Sequence, residues 1–282
     1  MYKTIDTISR KLMLTESEWN PKVILGRAIV AVLPEKSLHQ LKKAYYAYLL
    51  SHTPEDWGEN DKLFVKLLIR PGDTVLDIGA SIGDYTKFLS HIVGPSGRVY
   101  SFEPNPDIFD FLSHNVRKLG LANVELFDFA LSDKQGSAEI VIPRYRWGSE
   151  CHYDATLDQQ SAGPDCRRIK VAVGTLDSAF ANREDKISFI KCDVNSHELA
   201  FLHGSLQTIR RSKPAMLIEI LADPDQAGTP AAQVFELLEA EGYQGYWFND
   251  AALRKRKCGE RSQNYFFLTP DHLNRLPSQM LR

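Results

Sequence analysis

Two acids and a glycine turn carry the chemistry that can be read first. Asp77 lies near the end of the run Asp73-Thr-Val-Leu-Asp77-Ile78, ahead of Gly79-Ala80-Ser81-Ile82-Gly83 and Asp84-Tyr85-Thr86. About twenty residues later Glu103 ends a second run, Arg98-Val-Tyr-Ser-Phe-Glu103. Strand, glycine turn, helix, strand and acid, in that order, is how an open α/β sheet holds a nucleoside. The second acid offers two acceptor oxygens to the vicinal diol of a ribose. The pattern G-x-G-x-x-G is absent, so the turn brings backbone close to a ligand without cradling a pyrophosphate. These residues therefore predict a nucleoside ligand that lacks phosphates, of which S-adenosylmethionine is the common one. Gly79-x-Ser81-x-Gly83 also satisfies the nucleophile elbow of α/β-hydrolases, with Ser81 as nucleophile. That alternative needs several strands ahead of the elbow, and only helical patterns precede it.

The elements that must position these residues follow from periodicity. Strands are predicted at 73–78, 98–103, 124–129, 187–192 and 214–220, and helices at 84–92, 106–119, 197–211 and 230–241. Their alternation specifies a doubly wound, mostly parallel sheet, a Rossmann-like fold of seven strands. Tyr243–Phe248 and Asn264–Leu268 have no helical pattern between them and are expected as an antiparallel edge hairpin. Residues 1–70 read as a helical N-terminal extension, 71–270 as the nucleoside-binding domain and 271–282 as a tail. Within the extension, Val23–Leu33 has helical character, Ser37 is expected to cap a second helix that ends before Pro54, and Lys62–Ile69 is expected as a third. Ser137–Ile142 and Ile169–Val173 read as short strands around a polar loop, Pro143–Arg168. A loop that long tends to be a lid or a binding loop, and its aromatics argue against plain disorder.

Composition narrows the rest. The 282 residues are 43% hydrophobic and 25% charged, ordinary for a globular domain, and a net charge of −2 gives no overall pull on nucleic acid. Cys151, Cys166, Cys192 and Cys258 show neither disulfide nor zinc spacing, so no metal is expected. No apolar run reaches the ~18 residues of a membrane span. The start lacks a signal-peptide pattern, and a cytoplasmic protein is the default expectation.

The chain resembles the FkbM-type family of class I S-adenosylmethionine-dependent methyltransferases. The resemblance rests on Val75–Gly83 with Tyr85-Thr86, Phe102-Glu103-Pro104-Asn105-Pro106, Ala130-Leu131-Ser132-Asp133, Phe189-Ile-Lys-Cys-Asp193-Val, Leu217-Ile-Glu219 and Asn264–Leu268, in the family's order over about residues 55 to 268. It implies S-adenosylmethionine as cofactor, S-adenosylhomocysteine as product, and a methyl acceptor that is a small molecule or glycan. The acceptor group is expected to be a hydroxyl on a sugar, polyketide or other small natural product. It places Gly79, Ala80 and Gly83 around the methionine part, with Tyr85 and Thr86 opening the helix behind them. Asp77 supports the turn and the cofactor amine, Glu103 takes the ribose with Pro104 and Asn105 beside it, and Asp128, Ala130 and Leu131 flank adenine.

A hydroxyl acceptor needs alignment with the methyl and removal of its proton. The expected catalytic group is Asp193, His197, Glu198 and Glu219, with His152 a further imidazole candidate. Tyr145, Trp147, His152 and Tyr153 in the long loop, and Asn195, are expected to face the acceptor. The family pattern after the fourth strand is Asp-Val-Glu-Gly-x-Glu. Here Asn195 and Ser196 replace Glu-Gly. Asparagine cannot ionise, and Ser196 is placed to cap the following helix. A cofactor-binding scaffold that has lost activity is the alternative this departure raises.

Overall fold

A computed structural model describes residues 33–54, 60–143, 155–157, 166–249, 252–277 and 280. Two helices, α1 (Glu35–His52) and α2 (Asn60–Leu68), precede β1 (Thr74–Ile78), α3 (Asp84–Val93), β2 (Arg98–Phe102), α4 (Pro106–Lys118) and β3 (Val124–Phe127). A small sheet follows, made of β4 (Ala130–Leu131), β5 (Gly136–Pro143) and β6 (Cys166–Gly174). After α5 (Leu176–Ala179) come β7 (Ile187–Cys192), α6 (Glu198–His203), α7 (Leu206–Ser212), β8 (Ala215–Glu219) and α8 (Pro230–Ala240). The chain then forms β9 (Gln244–Asn249), β10 (Ala252–Lys255), β11 (Asn264–Leu268) and α9 (Pro270–Leu273).

The main sheet has eight strands in the order β10-β9-β11-β8-β7-β1-β2-β3. β3, β2, β1, β7 and β8 are parallel, and β11 runs antiparallel to β8. Such strands are buried on both faces, which explains their near-continuous apolar runs. Leu76, Ile78, Ile190 and Ile218 enter the core on one face. Val75, Val99, Phe189 and Leu217 enter the core on the other. Local chemistry starts the helices: Pro106 opens α4 behind Asn105, whose side chain accepts the amide of Asp107.

The antiparallel pair predicted near the end is β9 with β11, but β11 lies between β8 and β9. The sheet edge is β10, one strand beyond the seven expected. Its four residues are too short for a clear alternation. The helix predicted over 197–211 is two helices, broken at Gly204-Ser205. A Cβ on Gly204 would lie 1.8 Å from the carbonyl oxygen of Ser132, so only glycine fits at the break. Ser37 does not cap α1, which begins at Glu35 behind Pro34.

The first two helices are tied to the sheet domain by polar contacts. Lys87 Nζ donates to the carbonyls of Leu50 and Thr53 at 2.7 and 3.1 Å, satisfying the end of α1. Asp110 on α4 accepts from His39 and Lys43, each at 2.7 Å. Lys62 of α2 is fully buried and pairs with Asp84 at 2.5 Å. Residues 23–32, the larger part of the first helical run expected from the sequence, lie outside the described residues.

Candidate functional site: two clefts that share Asp193

After β1 the chain builds outward to β2 and β3, then resumes on the other side at β7, so the order reverses between β1 and β7. Ligands of open α/β sheets bind beyond the carboxyl ends of the strands at such a point. Here the loops after β1 and β7 touch. Asp193 N–H donates to the carbonyl of Ile78 at 3.0 Å. Gly79 has φ +75, and a Cβ there would sit 1.9 Å from the Asp193 carbonyl oxygen. Only glycine allows both the backbone conformation and the approach.

On the β1–β2–β3 side lies a cleft. Its walls include Ile78, Phe102, Ile108, Phe129, Leu131 and Ile140. Glu103 is the carboxylate in the part nearest β2. Its Oε2 accepts from Ser81 N–H at 3.0 Å and its Oε1 from Asn105 N–H at 2.9 Å. Burial pushes this carboxyl up to about 7, against the pull of those two amide bonds. Gly79, Pro104, Asn105, Ala130, Asn195 and His197 also reach the cleft, as do Ala155, Thr156 and Leu157. His197 Nε2 lies 2.9 Å from Ser132 Oγ, and that hydroxyl donates to Asp133 at 3.0 Å, so the imidazole is the donor to it. A hydrocarbon slot beside one two-oxygen acceptor matches a purine nucleoside with a free diol. The residues present therefore fit S-adenosylmethionine.

On the β7–β8–β11 side lies a second, larger cleft. Asp193 lines both clefts. Lys191 Nζ holds Asp193 Oδ2 at 2.9 Å and sits 5.2 Å from the centre of the Tyr85 ring. Burial opposes the Lys191 charge, yet Asp193 and then Asp77 attract it, and its pKa ends above the ordinary value. Glu219 is pushed up to about 9 by burial, then by the charge of Asp193 and a hydrogen bond with it. At neutral pH Glu219 is therefore protonated and donates to Asp193. The rim is amide and carboxylate: Asn264 Nδ2 donates to Asp61 Oδ2 at 2.7 Å, joining β11 to α2 across the opening.

Several residues expected at the cofactor stand behind it. Asp77 lines neither cleft; it is fully buried and accepts from Thr86 Oγ1 at 2.6 Å, while Ser101 bonds the same hydroxyl at 2.9 Å. Ala80 packs with Leu112 and Val116, and Gly83 is the left-handed residue that starts α3. In this structure these residues shape the turn. Tyr85 belongs to the second cleft. Asp128 is exposed and lines neither cleft, whereas Phe129 does line the first. The reason is that β3 ends at Phe127, which stacks on Phe102 at 4.6 Å, and Phe129 then turns back against both rings.

Glu198 also lines neither cleft; its carboxylate accepts backbone amides, Ser196 N–H at 3.0 Å among them. Burial raises it to about 7 in spite of those bonds. The helix cap at α6 is His197, not Ser196. Ser196 and Asn195 are both left-handed, at φ 71 and 48. Tyr145, Trp147, His152 and Tyr153 lie outside the described residues. Ser81 offers Glu103 its amide, and no histidine among the described residues is bonded to its hydroxyl. Among residues the sequence reading passed over, Phe129 was one position from its prediction. Asp61 carries no local signal at all.

The sheet order with its reversed β11, and an acid-tipped β2 beside the switch point, define a class I S-adenosylmethionine-dependent methyltransferase fold. The chain belongs to the FkbM methyltransferase family, whose domain profile (Methyltransferase FkbM domain) matches residues 77–245. Its cofactor is S-adenosylmethionine. Among curated proteins it is similar to the catalytic subunit of tRNA (adenine(58)-N(1))-methyltransferase from Yarrowia lipolytica, at 23% identity over 46% of this chain and 39% of that one. A protein-L-isoaspartate O-methyltransferase from Aeropyrum pernix is 38% identical over 20% of this chain and 21% of its own length. The chain thus spans well under half of these curated relatives. Among solved structures, the methyltransferase FkbM from Methylobacillus flagellatus aligns with a TM-score of 0.45 at 17% identity, over 71% of this chain and 44% of that one. An S-adenosylmethionine-dependent O-methyltransferase from Thermotoga maritima aligns at 0.44 and 13% identity, over 79% of this chain and 71% of its own.

Proposed function

We propose that the protein transfers a methyl group from S-adenosylmethionine to a hydroxyl of a small molecule or glycan, and that the acceptor occupies the second cleft. The observation that carries this reading is Asp193, which stands in the walls of both clefts at the crossing of the loops. The cofactor supplies an electrophilic methyl. The chain's part is to take the ribose diol on Glu103, hold adenine between Phe129 and Ile140, and keep an acceptor hydroxyl against Asp193. With the cofactor bound, the acceptor oxygen would take the methyl as its bond to sulfur breaks, leaving S-adenosylhomocysteine, and the hydroxyl proton would pass to the Asp193 carboxylate, which Lys191 fixes in place. Alignment of this kind, with one positioned base, supplies much of the rate in a displacement. Asp61, Asp193 and the amides of the second cleft suit hydroxyl donors.

Two measurements test the proposal. Calorimetry should show S-adenosylmethionine binding that is weakened by Glu103→Ala. A methyl-transfer screen over glycans and hydroxylated small molecules should then find an acceptor whose turnover is lost in Asp193→Asn. Tight cofactor binding with no turnover on any acceptor would favour a scaffold, and methylation confined to nitrogen acceptors would refute the hydroxyl assignment.

A further inference from the structure

The replacement of Glu-Gly by Asn195-Ser196 has a physical consequence at the first cleft. Residues Ala155, Thr156 and Leu157 line that cleft from the side of the small sheet. Thr156 is bonded to the free edge of β5, with its N–H on the Val141 carbonyl at 3.0 Å and its own carbonyl taking the Val141 N–H at 2.8 Å. Ala155 and Leu157 pack on Ile140, Ile142 and Val171. The other side of this short strap meets Asn195. Asn195 Nδ2 donates to the Ala155 carbonyl at 3.0 Å, and Thr156 Oγ1 donates to the Asn195 carbonyl at 2.6 Å. The strap thus spans from the second sheet to the loop after β7, across cavity walls that include Glu103 and Asp193.

We propose that Asn195 is the clasp of this strap, a positioning residue that sets how fast the bound cofactor leaves. The inference rests on the first cleft being the S-adenosylmethionine site. A glutamate at 195 could not make the same bond, because an ionised carboxylate has no hydrogen to give to a carbonyl oxygen. The turn that presents Asn195 is costly. Consecutive non-glycine residues in the left-handed region are each disfavoured, although asparagine tolerates that region better than serine. The buried carboxylate of Glu198 compensates by accepting the Ser196 amide inside the turn. The clasp itself is the pair of hydrogen bonds between Asn195 and the strap.

The test is the release of tritiated S-adenosylmethionine from the full-length protein into excess unlabelled cofactor, with thermal denaturation run on every variant. Asn195→Ala and Asn195→Asp both lose the donor and should raise the release rate about tenfold, a change equal to about 1.4 kcal/mol. Thr156→Val removes the second bond and should raise it by a smaller factor. Ser196→Gly relieves strain without touching either bond and should leave release at the wild-type rate. Wild-type release rates in folded Asn195→Ala and Asn195→Asp would overturn the clasp, as would lowered melting temperatures with release unchanged. Failure of the wild-type protein to bind the cofactor at all would overturn the cofactor site as well, so the two failures are told apart.

Discussion

The two clefts meet at one residue and are otherwise built of opposite materials. The first is walled largely by hydrocarbon, with Glu103 at its β2 end, whereas the second adds Lys191, Glu219 and Asp61 to the shared Asp193 in a larger space. The difference teaches how the labour is divided. Recognition of a fixed ligand needs shape and one diol acceptor, both supplied by residues close together in the chain. Handling a variable acceptor and its proton needs charges gathered from distant segments.

The sharpest way to break the comparison is Asp193→Asn. We expect turnover to fall about 10²–10³-fold, the loss typical of one positioned base, while calorimetry finds cofactor affinity within a small factor of wild type. An equal loss of cofactor affinity would mean that the clefts are one site. Lys191 loses its partner in this variant but keeps the Coulomb attraction of Asp77, so a melting curve should accompany the kinetics.

Glu103 probes the first cleft alone. Glu103→Gln should cost about 1–3 kcal/mol of cofactor binding, the range for a hydrogen bond to a charged group, with the acceptor KM unmoved. The wild-type protein should bind the cofactor progressively less well as the pH falls below about 7, because the buried carboxyl then gains a proton. The sign is set by the diol, which donates to the charged form. The slope should approach tenfold per pH unit at its limit. A profile equally steep in Glu103→Gln would place the titrating group elsewhere.

Glu219 probes the second cleft with a smaller effect. Near neutral pH, Glu219→Gln should stay within about threefold of wild-type turnover, since the amide still donates to Asp193. In the wild type, turnover should decline as the pH rises through about 9, where ionised Glu219 stands as a second anion against Asp193. The variant should lack that alkaline limb. If both proteins decline alike, Glu219 does not govern it.

The glycine turn and acid of the first cleft were legible in the sequence, as were Asp193 and Glu219 of the second, but what closes the second cleft was not. Gly79 and Glu103 sit in one strand–turn–helix–strand unit, so spacing alone brought them together. The strand predicted to 129 ends two residues earlier at Phe127, which stacks on Phe102, and Asp128 beyond it is exposed while Phe129 meets both rings edge-on. Asp77, Thr86 and Glu198 have the residue types of a site, yet burial put them to work on backbone and turn. The second cleft joins Asp61 to Asn264, and no local periodicity reports a contact across 203 residues. The close approach of the Ser132 carbonyl to Gly204 was invisible for the same reason.

The placement of β11 between β8 and β9 has a consequence in time. A ribosome finishes β8, β9 and β10 before it begins β11, and until then β9 has no neighbour in the sheet except β10. The exposed edge of β8 must wait through more than forty residues of synthesis, a few seconds at the usual rate of ~5–20 residues per second. Asn264 arrives at the start of that last strand and reaches back to Asp61, made roughly two hundred residues earlier. The rim of the second cleft is therefore among the last parts of the molecule to be completed, and a nascent chain interrupted before residue 264 would carry the nucleoside cleft without a finished acceptor cleft.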